Sequence, residues 1–185
     1  MRSYTILYIK VCHALACMAL LAGLFFLSSC SEDVLDMENP SVEIFINQLK
    51  SGKLTADAPD ATDLMPHFTT DDIAALLTHA DDLTEITSFP LAPVSYNAGG
   101  KFRLGECVLW VVETIRIGQN ASLGCKMVHN DAARYEGIYF LSDEEFLEAV
   151  ELYRHWWKFR NVPQTMWAID TCLDDPLCGS SYMWW

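Results

Sequence analysis

Apolar residues recur with a helical period in three stretches of the chain, and the pattern breaks between them. Val42, Phe45, Ile46 and Leu49 fall at i, i+3, i+4 and i+7, which predicts a first helix with Asn39 as its cap, Pro40 in its first turn and Gly52 as its stop. Ile73, Leu76, Leu77 and Ala80 make a second stripe, with Thr69 placed to cap it and Asp72 reaching back from three positions on. The third is the clearest: Ser142 caps, Glu145 completes the capping box, and Phe146, Leu147, Ala149, Val150, Tyr153, Trp156 and Trp157 run along it to about Arg160. Asp143, Glu144, Glu148 and Glu151 take the wet face, and Arg154, Lys158 and Arg160 suit the negative end of the helix dipole.

Leu104–Ile117 is different, because it is apolar almost all round: Leu104, Cys107, Val108, Leu109, Trp110, Val111, Val112, Ile115 and Ile117. Such a segment predicts a central, enclosed helix ended by Gly118, although its β-branched content also permits a buried strand. Glu113 inside it is the best candidate for a perturbed carboxylate, with Arg116 one turn on as the partner that makes a structural ion pair the favoured reading over a general acid. The stretches 51–66 and 81–100 are rich in Pro, Asp and Gly and read as loops. Residues 123–128 and 137–141 suggest a short hairpin around Asn130-Asp131, and the aromatic tail 164–185 reads as loop. The expected fold is therefore mainly α: a single helical domain of about four helices with long loops and room for a minor β-hairpin.

The chain has 185 residues, enough for one domain, and hydrophobic residues make up 51% of it. The N-terminus takes a disproportionate share. Arg2 and Lys10 form a positive leader, residues 11–27 are uncharged, and Leu27-Ser28-Ser29-Cys30 closes the segment. The pattern is that of a secretory signal, a little short for a membrane span of about 20 apolar residues. Its end resembles the lipobox of bacterial lipoprotein signal peptides: a branched apolar residue, two small residues and a Cys whose thiol accepts a diacylglyceryl group. That resemblance implies a signal peptide over 1–29, lipidation at Cys30 with palmitate-type acyl chains, and an acidic tether over 30–38. The alternatives are an uncleaved signal anchor, or ordinary cleavage with a free Cys30. The run Ser31-Glu32-Asp33, followed by Asp36 and Glu38, resembles a surface-export signal of Bacteroidetes lipoproteins. The expected location is the outer membrane, lipid-anchored, on its periplasmic or surface face.

Charge narrows the partners. The chain has 12 basic and 25 acidic residues, a net of −13, and loss of Arg2 and Lys10 with the leader makes the balance more acidic still. A phosphate backbone calls for a basic stripe that the sequence lacks, so nucleic acid is excluded as a partner. His67, His79, His129 and His155 show no pair at the i, i+3 or i+4 spacing of a metal site on one helix, and no nucleophile elbow or phosphate loop is present. Neither a metal, a cofactor nor an enzymatic constellation is expected. Four cysteines remain in the domain, Cys107, Cys125, Cys172 and Cys178, and four allow three pairings. Cys172 and Cys178 could close a small loop, leaving Cys107 to tie its helix to Cys125; equally, Cys107 could be a small buried hydrophobe. Trp156, Trp157, Trp167, Trp184 and Trp185 either fill the core or offer a surface to an envelope protein partner or a glycan.

The segments Asn39 to Phe45, Asp71 to Leu77, Leu104 to Arg116 around Trp110, Tyr153 to Trp157 and Asp175 to Trp184 are together similar to a family of small Bacteroidetes lipoproteins. The similarity spans most of residues 39–185, which sets the expected domain. It implies an accessory or interaction lipoprotein attached to the membrane through its anchor, with no catalytic residue to carry over. A glycan-binding module using exposed Trp residues is the alternative.

Overall fold

The computed structural model describes residues 34–54, 65–87, 89, 102–122, 124–130, 139–160 and 174–185. The leader, Cys30 and residues 31–33 of the acidic tether, Trp167 and Cys172 lie outside these residues. Four helices are present among those described: α1 (Val42–Ser51), α2 (Ile73–Leu76), α3 (Leu104–Ile117) and α4 (Asp143–Phe159). Two small antiparallel sheets accompany them, β1 (Glu85–Ile86) with β2 (Phe102–Arg103), and β3 (Met127–His129) with β4 (Tyr182–Trp184). The fold is mainly α with minor strand pairs, as the periodicity predicts. No described helix is long and apolar enough to cross a membrane.

The core is organised around α3. Its first ten residues, Leu104 to Glu113, are all buried, because other elements surround it. On α1 the stripe Val42, Phe45, Ile46 and Leu49 is buried, and on α4 the stripe Phe146, Ala149, Val150 and Tyr153. Both helices, together with α2 and β2, pack on α3. Fully burying a side chain the size of Leu or Phe contributes about 1.5–3 kcal/mol, so these stripes supply most of the drive for assembly. The indole of Trp110 is enclosed as well; its Nε1 donates to Ser122 Oγ at 3.1 Å, which avoids stranding a donor in the interior.

The caps show where local chemistry decided the outcome. Ser142 Oγ accepts from Glu145 N and Glu145 Oε2 accepts from Ser142 N, the reciprocal box expected for α4. Before α2, Asp72 Oδ2 accepts from Thr69 N at 2.8 Å, but the element is shorter than its stripe suggests. It is four residues of α-helix between the 3-10 turns Thr70–Asp72 and Leu77–His79. At α1 the cap is Ser41, whose Oγ accepts from Ile44 N, and not Asn39. The Asn39 amide instead donates to Asp36 Oδ1, forming a side-chain turn ahead of the helix.

Two strand assignments differ from the sequence reading. The stretch after Asp81 contains β1, which pairs with β2 in the register Glu85 to Arg103 and Ile86 to Phe102. Strand β3 takes the chain's C-terminal segment as its main partner, and the expected hairpin return survives only as a bridge between Val128 and Phe140. The tail read as loop thus supplies β4. Two-residue strands are too short for an alternating pattern, and pairing across more than 50 residues has no local signature.

Gly105 sets the distance between α3 and the segment after α2. A Cβ at that position meets the Ala80 carbonyl oxygen at 2.1 Å, and the Gly105 amide donates to Asp82 O at 2.8 Å. The obstacle is backbone and cannot swing aside. Gly105→Ala is therefore expected to destabilise the domain by about 3 kcal/mol or more, read as a lower urea midpoint, since overpacking against fixed atoms costs about 1–3 kcal/mol and occasionally more.

Candidate functional site

The β3–β4 pair has two distinct faces. In an antiparallel register, opposed residues project to the same side, and Met127 with Trp184 and His129 with Tyr182 form the inner set. Val128, Met183 and the bridged Phe140 form the outer set.

The inner face is locked to the helices by a chain of polar contacts. Trp184 Nε1 donates to Tyr153 Oη at 2.8 Å, and Tyr153 donates to Glu113 Oε2 at 2.9 Å. Arg116 closes on Glu113 in bidentate fashion, Nε to Oε2 at 2.9 Å and Nη2 to Oε1 at 2.5 Å, and its Nη1 donates to the Asp174 carbonyl oxygen. The Glu113–Arg116 partnership is thus the ion pair that the spacing predicts. The hydrogen bonds to Glu113 raise the Arg116 pKa against the opposing effect of burial. Burial and then the Glu113 charge push the Tyr153 hydroxyl well above the ordinary tyrosine value, so it stays protonated and can donate. The apolar run marks Glu113 as its odd carboxylate, whereas the periodic stripe marks Tyr153 only as core, since nothing in it reveals where the hydroxyl ends.

A second set of contacts holds the strands to the start of α4. His129 Nε2 lies 2.8 Å from Glu145 Oε1, and Tyr182 donates to Glu148 Oε2 at 2.5 Å. The hydrogen bond from Ser142 N is the main cause of a lowered Glu145 pKa, with His129 adding to it. The hydrogen bond to Glu148, then burial, pushes Tyr182 up to about 12.

On the outer face Val128 is buried, while its neighbours are partly open to solvent. Phe140 is 42% exposed, Met183 38% and Trp185 37%, and the rings of Phe140 and Trp185 meet edge to face at 6.0 Å. Tyr139 beside them is also exposed. Trp185 N donates to Lys126 O, and its ring lies so close over Gly124 that a Cβ there meets it at 2.7 Å. Trp156 and Trp157, at a centroid distance of 5.8 Å, are half-buried and packed against the core. Of the five tryptophans proposed as a surface, the four that are described do not share one face. Trp184 is an inner-face anchor, Trp185 belongs to the outer patch, and Trp156 and Trp157 lie along α4.

Beside the strands is an open cavity of about 430 Å³ whose lining includes Glu113, Arg116, Asn130, Asp175, Tyr182 and Trp184. The Ser180 hydroxyl at its edge donates to Leu177 O and accepts from Tyr182 N, so it is engaged on both sides. The arrangement offers shape, aromatic area and hydrogen-bonding groups.

This chain belongs to the DUF4943 family. The match covers residues 36–185, and the family is described as a domain of unknown function. Neither a curated protein nor a solved structure matches the chain. The DUF4943 region thus includes every element of the site, from the helices that anchor the strands to the terminal Trp185.

The remaining sequence candidates fall elsewhere. Cys107 and Cys125 are buried with their sulfurs unbonded in this structure, and Cys178 is disulfide-bonded. His67 and His79 sit at the surface beside Glu38 and Glu43. Among the described residues no three metal-type side chains converge. Glu106 and Lys126 form a buried contact at 3.3 Å that sequence reasoning missed, although a carboxylate among apolar helix residues was the signal for it.

Tyr153→Phe leaves the Trp184 indole N–H without its acceptor and removes one donor from Glu113. A loss of about 1–3 kcal/mol is expected, measured by urea unfolding. Tyr182 gives a pH-dependent readout. With a folded-state value near 12, above the ordinary 10, its contribution to stability is complete below pH 10 and is lost as pH rises through 12. In Glu148→Gln the phenol is expected to titrate closer to 10, read by carbon NMR of the labelled tyrosine ring.

Proposed function

We propose that this DUF4943 protein is a Bacteroidetes-type lipoprotein of the outer membrane, held by acyl chains on Cys30, whose domain serves an envelope assembly as a non-enzymatic interaction module. The lipobox pattern supports the anchor. Two or three acyl chains, at about 0.8 kcal/mol per buried CH₂, hold a protein at a bilayer where one does not. Residues 31–38 then act as an acidic spacer between lipid and domain.

The observation that carries the interaction reading is the outer face of β3–β4. Phe140, Met183 and Trp185 are partly exposed on and beside strands whose inner face is fixed by Trp184, Tyr153 and Glu113. A rigid aromatic patch loses little entropy on binding, and aromatic residues dominate the energetics of protein interfaces. The acidic balance of the chain favours a partner without a negative surface.

The polar cavity beside Trp184 and Tyr182 favours a second reading, a glycan-binding module, since sugar rings pack their C–H faces on aromatic rings and hydrogen-bond to groups such as the Asn130 amide.

Labelled palmitate is expected to enter the full chain expressed in a Gram-negative host and to be absent from Cys30→Ala; equal labelling of the two chains overturns the anchor. Affinity capture from detergent-solubilised envelopes is expected to recover a partner with the native chain and roughly ten-fold less with Trp185→Ala, the variant keeping its melting temperature within about 3 °C. Saturable binding on a polysaccharide array, abolished by Asn130→Ala, decides for the glycan reading instead.

A further inference from the structure

We infer that Cys107 and Cys125 are joined by a disulfide in the mature protein, cross-linking the central helix α3 to the segment that leads into β3. The two sulfurs are 3.5 Å apart and both residues are fully buried. A disulfide bond is about 2.05 Å long, so the sulfurs have roughly 1.5 Å to close.

The surroundings hold the two cysteines face to face. Glu106, next to Cys107, accepts from Met127 N at 2.7 Å and from Lys126 Nζ at 3.3 Å, which fixes the residues after Cys125 to the same helical turn. On the other side of Cys125, Gly124 is covered by the Trp185 ring. Cys125 itself has a φ of 39°, the left-handed region that side-chain-bearing residues seldom occupy. Its conformation is imposed by what surrounds it, and the consequence is a thiol aimed at Cys107. Cys178 shows independently that this chain carries a disulfide, and disulfides persist in oxidising compartments.

The chemistry is a thiol–disulfide exchange with an external disulfide as oxidant. One cysteine thiolate attacks a sulfur of that disulfide, the S–S bond breaks, and one thiol leaves. The second cysteine then attacks the mixed disulfide and expels the other thiol. Two protein thiols are oxidised to one disulfide and one external disulfide is reduced to two thiols. Burial pushes the Cys125 thiol up and keeps it protonated in the folded core, so the bond forms while the chain is folding, before α3 and β3 enclose it.

The test uses the full chain, reduced and unfolded, then refolded in detergent with reduced and oxidised glutathione. Remaining thiols are trapped with a maleimide and the peptides are mapped by mass spectrometry, with circular dichroism verifying the helical fold. The expected product is a peptide linking Cys107 to Cys125. Maleimide or glutathione on both residues of the helical product overturns the inference, as does pairing of either with another cysteine. Because the refolding needs no export, a failed lipid anchor does not affect the result. A second measurement compares the native chain with a Cys107→Ala, Cys125→Ala variant that keeps the Cys178 disulfide. Reductant is expected to lower the melting temperature of the native chain by about 5–10 °C more than that of the variant, and equal shifts count against the bond.

Discussion

A carboxylate enclosed in the core governs how this domain closes. Glu106 has no solvent exposure, yet it lies on the helix around which everything else packs. Removing such a charge from water costs several kcal/mol unless partners compensate. Here three groups from two segments compensate: the Met127 amide and the adjacent Lys126 ammonium, and Arg103 at 3.6 Å. Arg103 in turn donates to Asp143 and to the Leu141 carbonyl oxygen at the start of α4. One buried charge thereby fixes the strand β3, the entry of α3 and the entry of α4 relative to one another.

The same logic recurs about two turns further along α3. Glu113 is held by Arg116 and Tyr153, and Tyr153 accepts from Trp184. Two carboxylates on one helix thus secure both strands of the β3–β4 sheet, Glu106 through the backbone of β3 and Glu113 through the side chains facing β4. Among the described residues no buried side-chain nitrogen or oxygen lacks a hydrogen-bond partner. A core that is otherwise apolar gains directional contacts from these groups, and the C-terminal segment is pinned to one register with its outer face presented to solvent.

That pinning connects fold to function. The aromatic edge carrying Phe140, Met183 and Trp185 is assembled from three parts of the chain, at 127–129, 139–140 and 182–185. Proximity of Cys107 to Cys125 arises from the same closure, since each lies beside a residue of the Glu106 network. The surface patch and the buried sulfur pair are two outcomes of docking β3 on α3.

Much of this was legible in the residues alone. The stripes of α1 and α4, the enclosure of α3, its termination at Gly118, the box at Ser142 and the Glu113–Arg116 pair all follow from spacings of three or four residues, which a helix converts directly into contacts. What the sequence could not determine is long-range. The pairing of β3 with the chain terminus, the course of the Tyr153 hydroxyl, the burial of Glu106 beside Lys126 and the division of Trp184 from Trp185 depend on which surfaces meet. Short strands carry no period of their own, and a buried charge is tolerable only where a distant segment brings its counter-ion. Those choices were made by the packed tertiary structure, because only there do the partners of each polar group come within hydrogen-bonding distance.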